Sequence, residues 1–242
     1  MKTHPLILAL CLAILVPGNL GAEQPSDVKV LIPWLLAEDR ELKGIPFGDV
    51  IEAATGHAVI PVEVTRDADL LAGLNACIAA ALARCNEADH PIRQVGRINE
   101  ASAHLESEIL LQLDAVPGWK AGIPKTASGS EQRSGYPDIR LELEDGRVVY
   151  LDPKLYSADS RSSSFRSFYY EPKTATNKVN DPAMHLLVGV QHNGETGQNL
   201  RLNQWELVDL SRLLIQLKAE FQASNRDLYQ DETVVITGSV QD

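Results

Sequence analysis

Between residues 98 and 116 apolar side chains recur every three or four positions, at Ile98, Ala101, Leu105, Ile109, Leu113 and Val116, which predicts the strongest amphipathic helix of the chain. Pro117 and Gly118 stop it. The same spacing through Leu70, Leu71, Leu74, Ile78, Ala81 and Leu82 predicts a helix over 69–84, and weaker signals place helices over 47–55, ended by Gly56, and over 204–223. Stretches rich in β-branched or continuously apolar residues predict strands at 57–64, 139–144, 147–151 and 184–192, with a short one at 233–237. Residues 28–36 fit a strand or a short helix equally well. Polar connections rich in Ser, Gly, Thr or Pro fall at 86–97, 120–135 and 157–182.

Helices and strands that alternate without an internal repeat or a long linker predict a mixed α/β fold, with 23–95 as a mostly helical N-terminal extension to a core over 96–242. Residues 1–22 have the pattern of a secretory signal: Lys2 gives a positive start, Leu6 to Val16 is continuously apolar, and Pro17, Gly18 and Gly21 lead to a cleavage position at Ala22. The apolar run is shorter than the roughly 20 residues a spanning helix needs. A secreted or periplasmic protein with no stable membrane association after cleavage is expected.

Composition narrows the function classes. The 242 residues are 44% apolar and 23% charged, enough for one sizeable core and unlike a disordered, collagen-like or multi-pass membrane chain. There are 22 Lys and Arg against 33 Asp and Glu, a formal charge of −11 that loses only Lys2 with the signal. Indiscriminate adhesion to nucleic acid or anionic lipid is therefore disfavoured, and any phosphate contact must be local. Signal cleavage leaves Cys77 and Cys85 in an oxidising compartment. On a continuous helix they stand about 12 Å apart, beyond the roughly 7 Å a disulfide spans, so a bridge requires the helix to end before Cys85. The alternatives are that bridge and two buried thiols.

Chemistry gathers around one hairpin. Asp138 follows Pro137, and Asp152-Pro153-Lys154 ends the apolar strand Val148-Val149-Tyr150-Leu151; residues 152 and 154 point to one face. A two-residue turn of Asp145-Gly146 sets Asp138 beside Pro153 and leaves Asp152 on the other face. A three-residue turn of Glu144, Asp145 and a left-handed Gly146 sets Asp138 opposite Asp152. Both turns suit the residues.

The arrangement resembles the PD-(D/E)XK nuclease superfamily: Pro137-Asp138, a hairpin, then Asp152-Pro153-Lys154. Its motif order is similar to that of archaeal Holliday-junction resolvases, with a helix carrying Leu105-Glu106-Ser107-Glu108-Ile109, a Gly118-Trp119 step, and the loop Lys125-Thr126-Ala127-Ser128-Gly129-Ser130 before the paired acids. The likeness covers residues 96–192. It implies a restriction-endonuclease-like core, a central mixed β-sheet flanked by helices. Glu106 matches the family's helical metal-site glutamate and Glu108 is the reserve, since each lies about 80° from the centre of the apolar stripe. The resemblance further implies Mg²⁺, or Mn²⁺ in its place, held by Asp138, Asp152, Glu106 and the carbonyl of Pro153, a residue that departs from the pattern by lacking an amide hydrogen. Lys154 would position the attacking water or stabilise the charged phosphorus centre.

The loop after Lys154 adds Arg161, Arg166, Lys173 and Lys178 against Glu171, interleaved with Phe165, Phe168, Tyr169 and Tyr170, a mixture suited to a nucleic-acid backbone and unstacked bases. His185 and His192 lie an odd number apart on one strand, hence on opposite faces, and read as structural. No nucleophile elbow, phosphate loop or dinucleotide fingerprint is present. The expected function is an exported metal-dependent nuclease acting on DNA before RNA. The alternative is a non-catalytic extracytoplasmic binding or interaction module with a nuclease-like fold.

Overall fold

Ten consecutive residues, Val148–Ser157, form the strand around which the fold is built. The computed structural model describes residues 31–33, 42–164, 168–218, 220 and 222–239. The signal expected at 1–22, most of the segment at 28–36, Phe165 and Arg166 lie outside the described residues. Residues 31–33 are helical and belong to a separate N-terminal unit; everything below lies in the unit that begins at Leu42.

The elements in chain order are β1 (Lys43–Pro46), α1 (Phe47–Thr55), α2 (Ala68–Cys85), α3 (Ile98–Asp114), β2 (Lys120–Gly122), β3 (Ile139–Glu142), β4 (Val148–Ser157), β5 (Ala183–His192), β6 (Leu202–Asp209), β7 (Leu214–Gln216) and α4 (Asn225–Leu228). Strands β2 to β6 form a five-stranded sheet in that order, and β1 pairs with β7 in a separate two-stranded ribbon. The β4–β5 pair is parallel and its neighbours are antiparallel, giving the mixed α/β sheet flanked by helices that was expected.

Each face of the sheet carries its own core. On one, Leu105, Ile109 and Leu113 of α3 and Leu74, Ile78 and Ala81 of α2 meet Ile139, Leu141, Val149, Leu151, Leu186, Val188 and Val190. Fully burying each of the large aliphatic side chains contributes about 1.5–3 kcal/mol, which favours the 3.6-residue spacing of α3. On the other, Phe47 and Ile51 of α1 meet Val148, Tyr150 and Ala183, with Tyr136, Phe168 and Tyr170 packed around them.

Three expectations change. Residues 204–223 are not helical: β6 pairs with β5 from Leu186↔Asp209 to His192↔Leu202, a turn of 3₁₀ helix follows, and then β7. Without β6 the long apolar β5 would be a bare sheet edge, and satisfying its backbone outweighs a local preference for helix. Residues 57–64 make only a single parallel bridge, Val59↔Ala183, because Pro61 has no amide to extend the ladder. Residues 233–237 form no strand. The two cysteines are free and buried, and α2 runs unbroken through Cys85, which keeps them apart.

Candidate active site

The hairpin turn settles which side chains can meet. Leu143 N–H donates to Arg147 O at 2.9 Å, Gly146 adopts φ +82°, and β3 pairs Ile139 with Leu151 and Arg140 with Tyr150. This is the three-residue turn of Glu144, Asp145 and Gly146. Continued one step, the register carries Asp138 alongside Asp152, on the face of the sheet that holds Arg140 and Tyr150.

Both carboxylates reach the same ammonium: Lys154 Nζ is 2.7 Å from Asp152 Oδ2 and 3.3 Å from Asp138 Oδ2. With Asp138 the contact is a hydrogen bond. The shorter contact pairs the ammonium directly with a buried Asp152 oxygen. Asp152 is 2% exposed. Burial pushes its carboxyl pKa up, Lys154 pulls it back, and the neighbouring Asp138 charge adds to the rise.

An aromatic layer explains why that position is dry. Tyr136 packs edge-on against Phe47 and Phe168, with ring centroids 5.7 and 5.5 Å apart, and Tyr136 Oη shares a hydrogen bond with His185 Nδ1 at 2.7 Å. Burial holds the Tyr136 phenol well above its usual range and drives His185 down to about 4, so both are neutral at pH 7. The Asp152 charge adds to the rise of the Tyr136 phenol.

Glu106 and Glu108 of α3 part company. Glu106 is pushed up to about 7, by burial first and then by the Asp138 charge, with Lys154, Arg133 and Lys178 opposing. It lines a cleft with Arg133 and Asp138. Glu108 turns toward the 86–97 connection: its Oε1 accepts from Gln112 at 2.8 Å and its Oε2 lies 3.6 Å from His90 Nε2. Pro153 sits in β4 opposite Val188 of β5, where a missing amide leaves one ladder position without a donor.

The basic loop does not act as one patch. Arg161 is tied to Glu206 at 2.5 Å and Lys173 to Glu171 at 2.9 Å. Lys178 is buried rather than exposed, and it lies within the field of Asp138, Asp152 and Glu106. Sequence reasoning missed this placement and the Tyr136–His185 pair, because neither residue's neighbours in the chain signal the burial that tertiary packing creates.

Among the described residues no group of three or more His, Cys, Asp or Glu side chains forms a ready-made cation cage. Mg²⁺ does not need one, since it commonly takes one or two carboxylates and keeps several waters. The buried Asp152 carboxylate, the Asp138 carboxylate that shares its ammonium and the all-oxygen character of the set fit such an ion.

Comparison with known proteins adds an independent finding. The sequence profile of the type II restriction enzyme MjaV family matches residues 40–232. The type II restriction enzyme MjaV of Methanocaldococcus jannaschii is 29% identical over 212 residues, covering 80% of this chain and 89% of that protein. No solved structure matches the chain.

Proposed function

The chain belongs to the type II restriction enzyme MjaV family, and from that premise we propose that it is a divalent-metal-dependent nuclease of the PD-(D/E)XK kind, hydrolysing phosphodiester bonds in DNA at Asp138, Asp152, Lys154 and Glu106. The observation that carries the reading is the convergence of two acids, Asp138 and the buried Asp152, on one ammonium. Asp138, Asp152, Glu106 and the Pro153 carbonyl would hold Mg²⁺ or Mn²⁺. When bound, such an ion lowers the pKa of water and offsets charge building on the phosphate.

The chain's own groups supply the rest. Asp138 and Asp152, fixed by the β3–β4 register, orient the centre, and the aromatic layer behind them excludes water and so strengthens every charge interaction there. Lys154 presents an ammonium at the mouth of the acidic pair, where it aligns the attacking water and steadies the oxygens of the five-coordinate phosphorus. Glu106, pushed up to about 7 by its surroundings, would shift toward its ionised form as positive charge arrives.

The test is digestion of plasmid DNA by the purified protein with and without Mg²⁺. The wild type cleaves only with the ion, and Asp152→Ala and Lys154→Ala each lose about 100-fold or more, the scale of removing one preorganised charge-stabilising group. Activity persisting in both variants would reject this centre, and an inactive wild type would favour a DNA-binding module without turnover.

Export belongs to the same proposal and is supported by the sequence of residues 1–22, which precede the family match. The protein recovered outside the cytoplasm of an export-competent host should begin at Glu23; an intact Met1 on an intracellular protein contradicts export.

A further inference from the structure

The cleft that Glu106 and Asp138 line extends beyond them and has a volume of about 350 Å³. One wall is α3, where Glu106, Leu110 and Leu111 fall on one face by their spacing of four and five residues. Leu111 is 60% exposed, an aliphatic side chain left open to solvent beside an acid. Further lining comes from Ile123, after β2, and from Glu131 and Arg133 in the loop that leads to Asp138. The cleft therefore joins an acidic end, shared with the proposed centre, to an aliphatic wall and one guanidinium.

Arg133 is exposed and, among the described residues, pairs with no carboxylate, although three of them line the same cleft. By contrast, Arg66, Arg84, Arg140, Arg147 and Arg161 each hold a carboxylate at 2.8 Å or less. The five N–H donors of Arg133 are thus available to a ligand. The backbone that carries them is fixed. Thr126 N–H donates to Ser130 O at 2.8 Å, Glu131 makes an antiparallel bridge with Lys125, and the Gln132 carbonyl accepts from the buried Lys178 at 3.2 Å. Ala127 N–H donates to Asn177 O at 2.7 Å and Asn180 Nδ2 to Lys125 O at 2.8 Å, so the loops over 125–133 and 177–181 clamp each other.

A strand whose scissile phosphate sits at Asp138 continues into the cleft that Asp138 lines, where the carboxylates repel its next phosphate unless a cation answers it. We propose that this cleft is the subsite for the deoxynucleotide beside the scissile phosphate. The Arg133 guanidinium donates to the flanking phosphate, and the intervening sugar lies on the aliphatic wall of Leu110, Leu111 and Ile123. A planar fork of N–H donors engages two phosphate oxygens at once. On a chain of formal charge −11 such a contact has to be local, and Arg133 supplies it next to the centre. The inference rests on the nuclease reading above.

Arg133→Gln, Arg133→Lys and the control Asp152→Ala are compared with the wild type in plasmid cleavage at one fixed Mg²⁺ concentration over a series of NaCl concentrations. Arg133→Gln is expected to lose about tenfold or more in kcat/KM, carried by KM, as when a charge-assisted contact made equally in ground and transition states is removed. Its log KM should rise less steeply with log [NaCl], by up to about one in slope, because one phosphate contact is gone. Arg133→Lys keeps the charge and restores the slope. The Tm of both variants stays within about 2 °C of wild type, as for an exposed side chain without a partner. An unchanged KM and slope in Arg133→Gln overturn the proposal, and so does a loss confined to kcat or accompanied by a larger fall in Tm. A changed pattern of cut fragments at an unchanged slope overturns it in favour of contact with a base. A wild type that cleaves and an Asp152→Ala that does not leave the nuclease reading standing whatever Arg133 does; a wild type that fails to cleave overturns both.

Discussion

Glu106 shows how burial and charge set a residue's chemistry. Its carboxyl is pushed from 4.5 up to about 7, by burial first and then by Asp138. The folded protein thus keeps a proton on Glu106 between those two pH values where the unfolded chain has lost it. By linkage the stability this confers is present at low pH and is lost as pH rises from about 4.5 to about 7. His185 acts oppositely: driven down to about 4, it favours the folded state increasingly as pH rises from there toward 6.5. The overall profile is a sum, and the variant Glu106→Gln isolates one part of it. Without divalent ions, the Tm of Glu106→Gln relative to wild type should climb between pH 5 and 7.5, by about 2–4 °C once solvent screening is allowed for. A difference that is flat or reversed across this window contradicts the position assigned to Glu106.

At the scale of elements, the site depends on a turn. Gly146 lies at φ +82° with open space where a Cβ would sit, so Gly146→Ala meets no clash and carries only the cost of a left-handed alanine, about 1–2 kcal/mol. Thermal denaturation should show a fall of roughly 2–8 °C; an unchanged Tm would mean that residue 146 is not left-handed. The sequence left this turn open between two lengths, because Asp145-Gly146 satisfies either. Only the pairing of Ile139 with Leu151, set by burial of both side chains against α3, chooses. The helices were more legible. Leu105, Ile109 and Leu113 sit at a spacing that a strand cannot bury on one face, and α1 ends at Gly56, φ +75°, where the chain needs a left-handed residue. Residues 204–209 were misread because Trp205, Leu207 and Val208 fit a helix or a strand over so short a run, and the deciding partner, β5, lies far away in sequence.

For the whole molecule, a formal charge of −11 sets the terms on which a phosphate can approach. In the loop after β4, Arg161 and Lys173 do little to compensate, since they are engaged by Glu206 and Glu171. Lys154 brings positive charge to the centre itself, beside acids that burial keeps reluctant to ionise. Residue types and order along the chain made the pair Asp138 and Asp152 legible, whereas the inward turn of Lys178 depends on loops 125–133 and 177–181 clamping together, which no local pattern encodes. The central claim, that two acids from neighbouring strands hold a divalent ion, is tested most directly by calorimetric titration of Mn²⁺ into the wild type and Asp152→Asn at pH 7.5. The wild type should bind the ion and the variant, its buried oxygen pair replaced by an amide, should bind at least about tenfold more weakly. Equal affinity in the two proteins would show that the ion is held elsewhere.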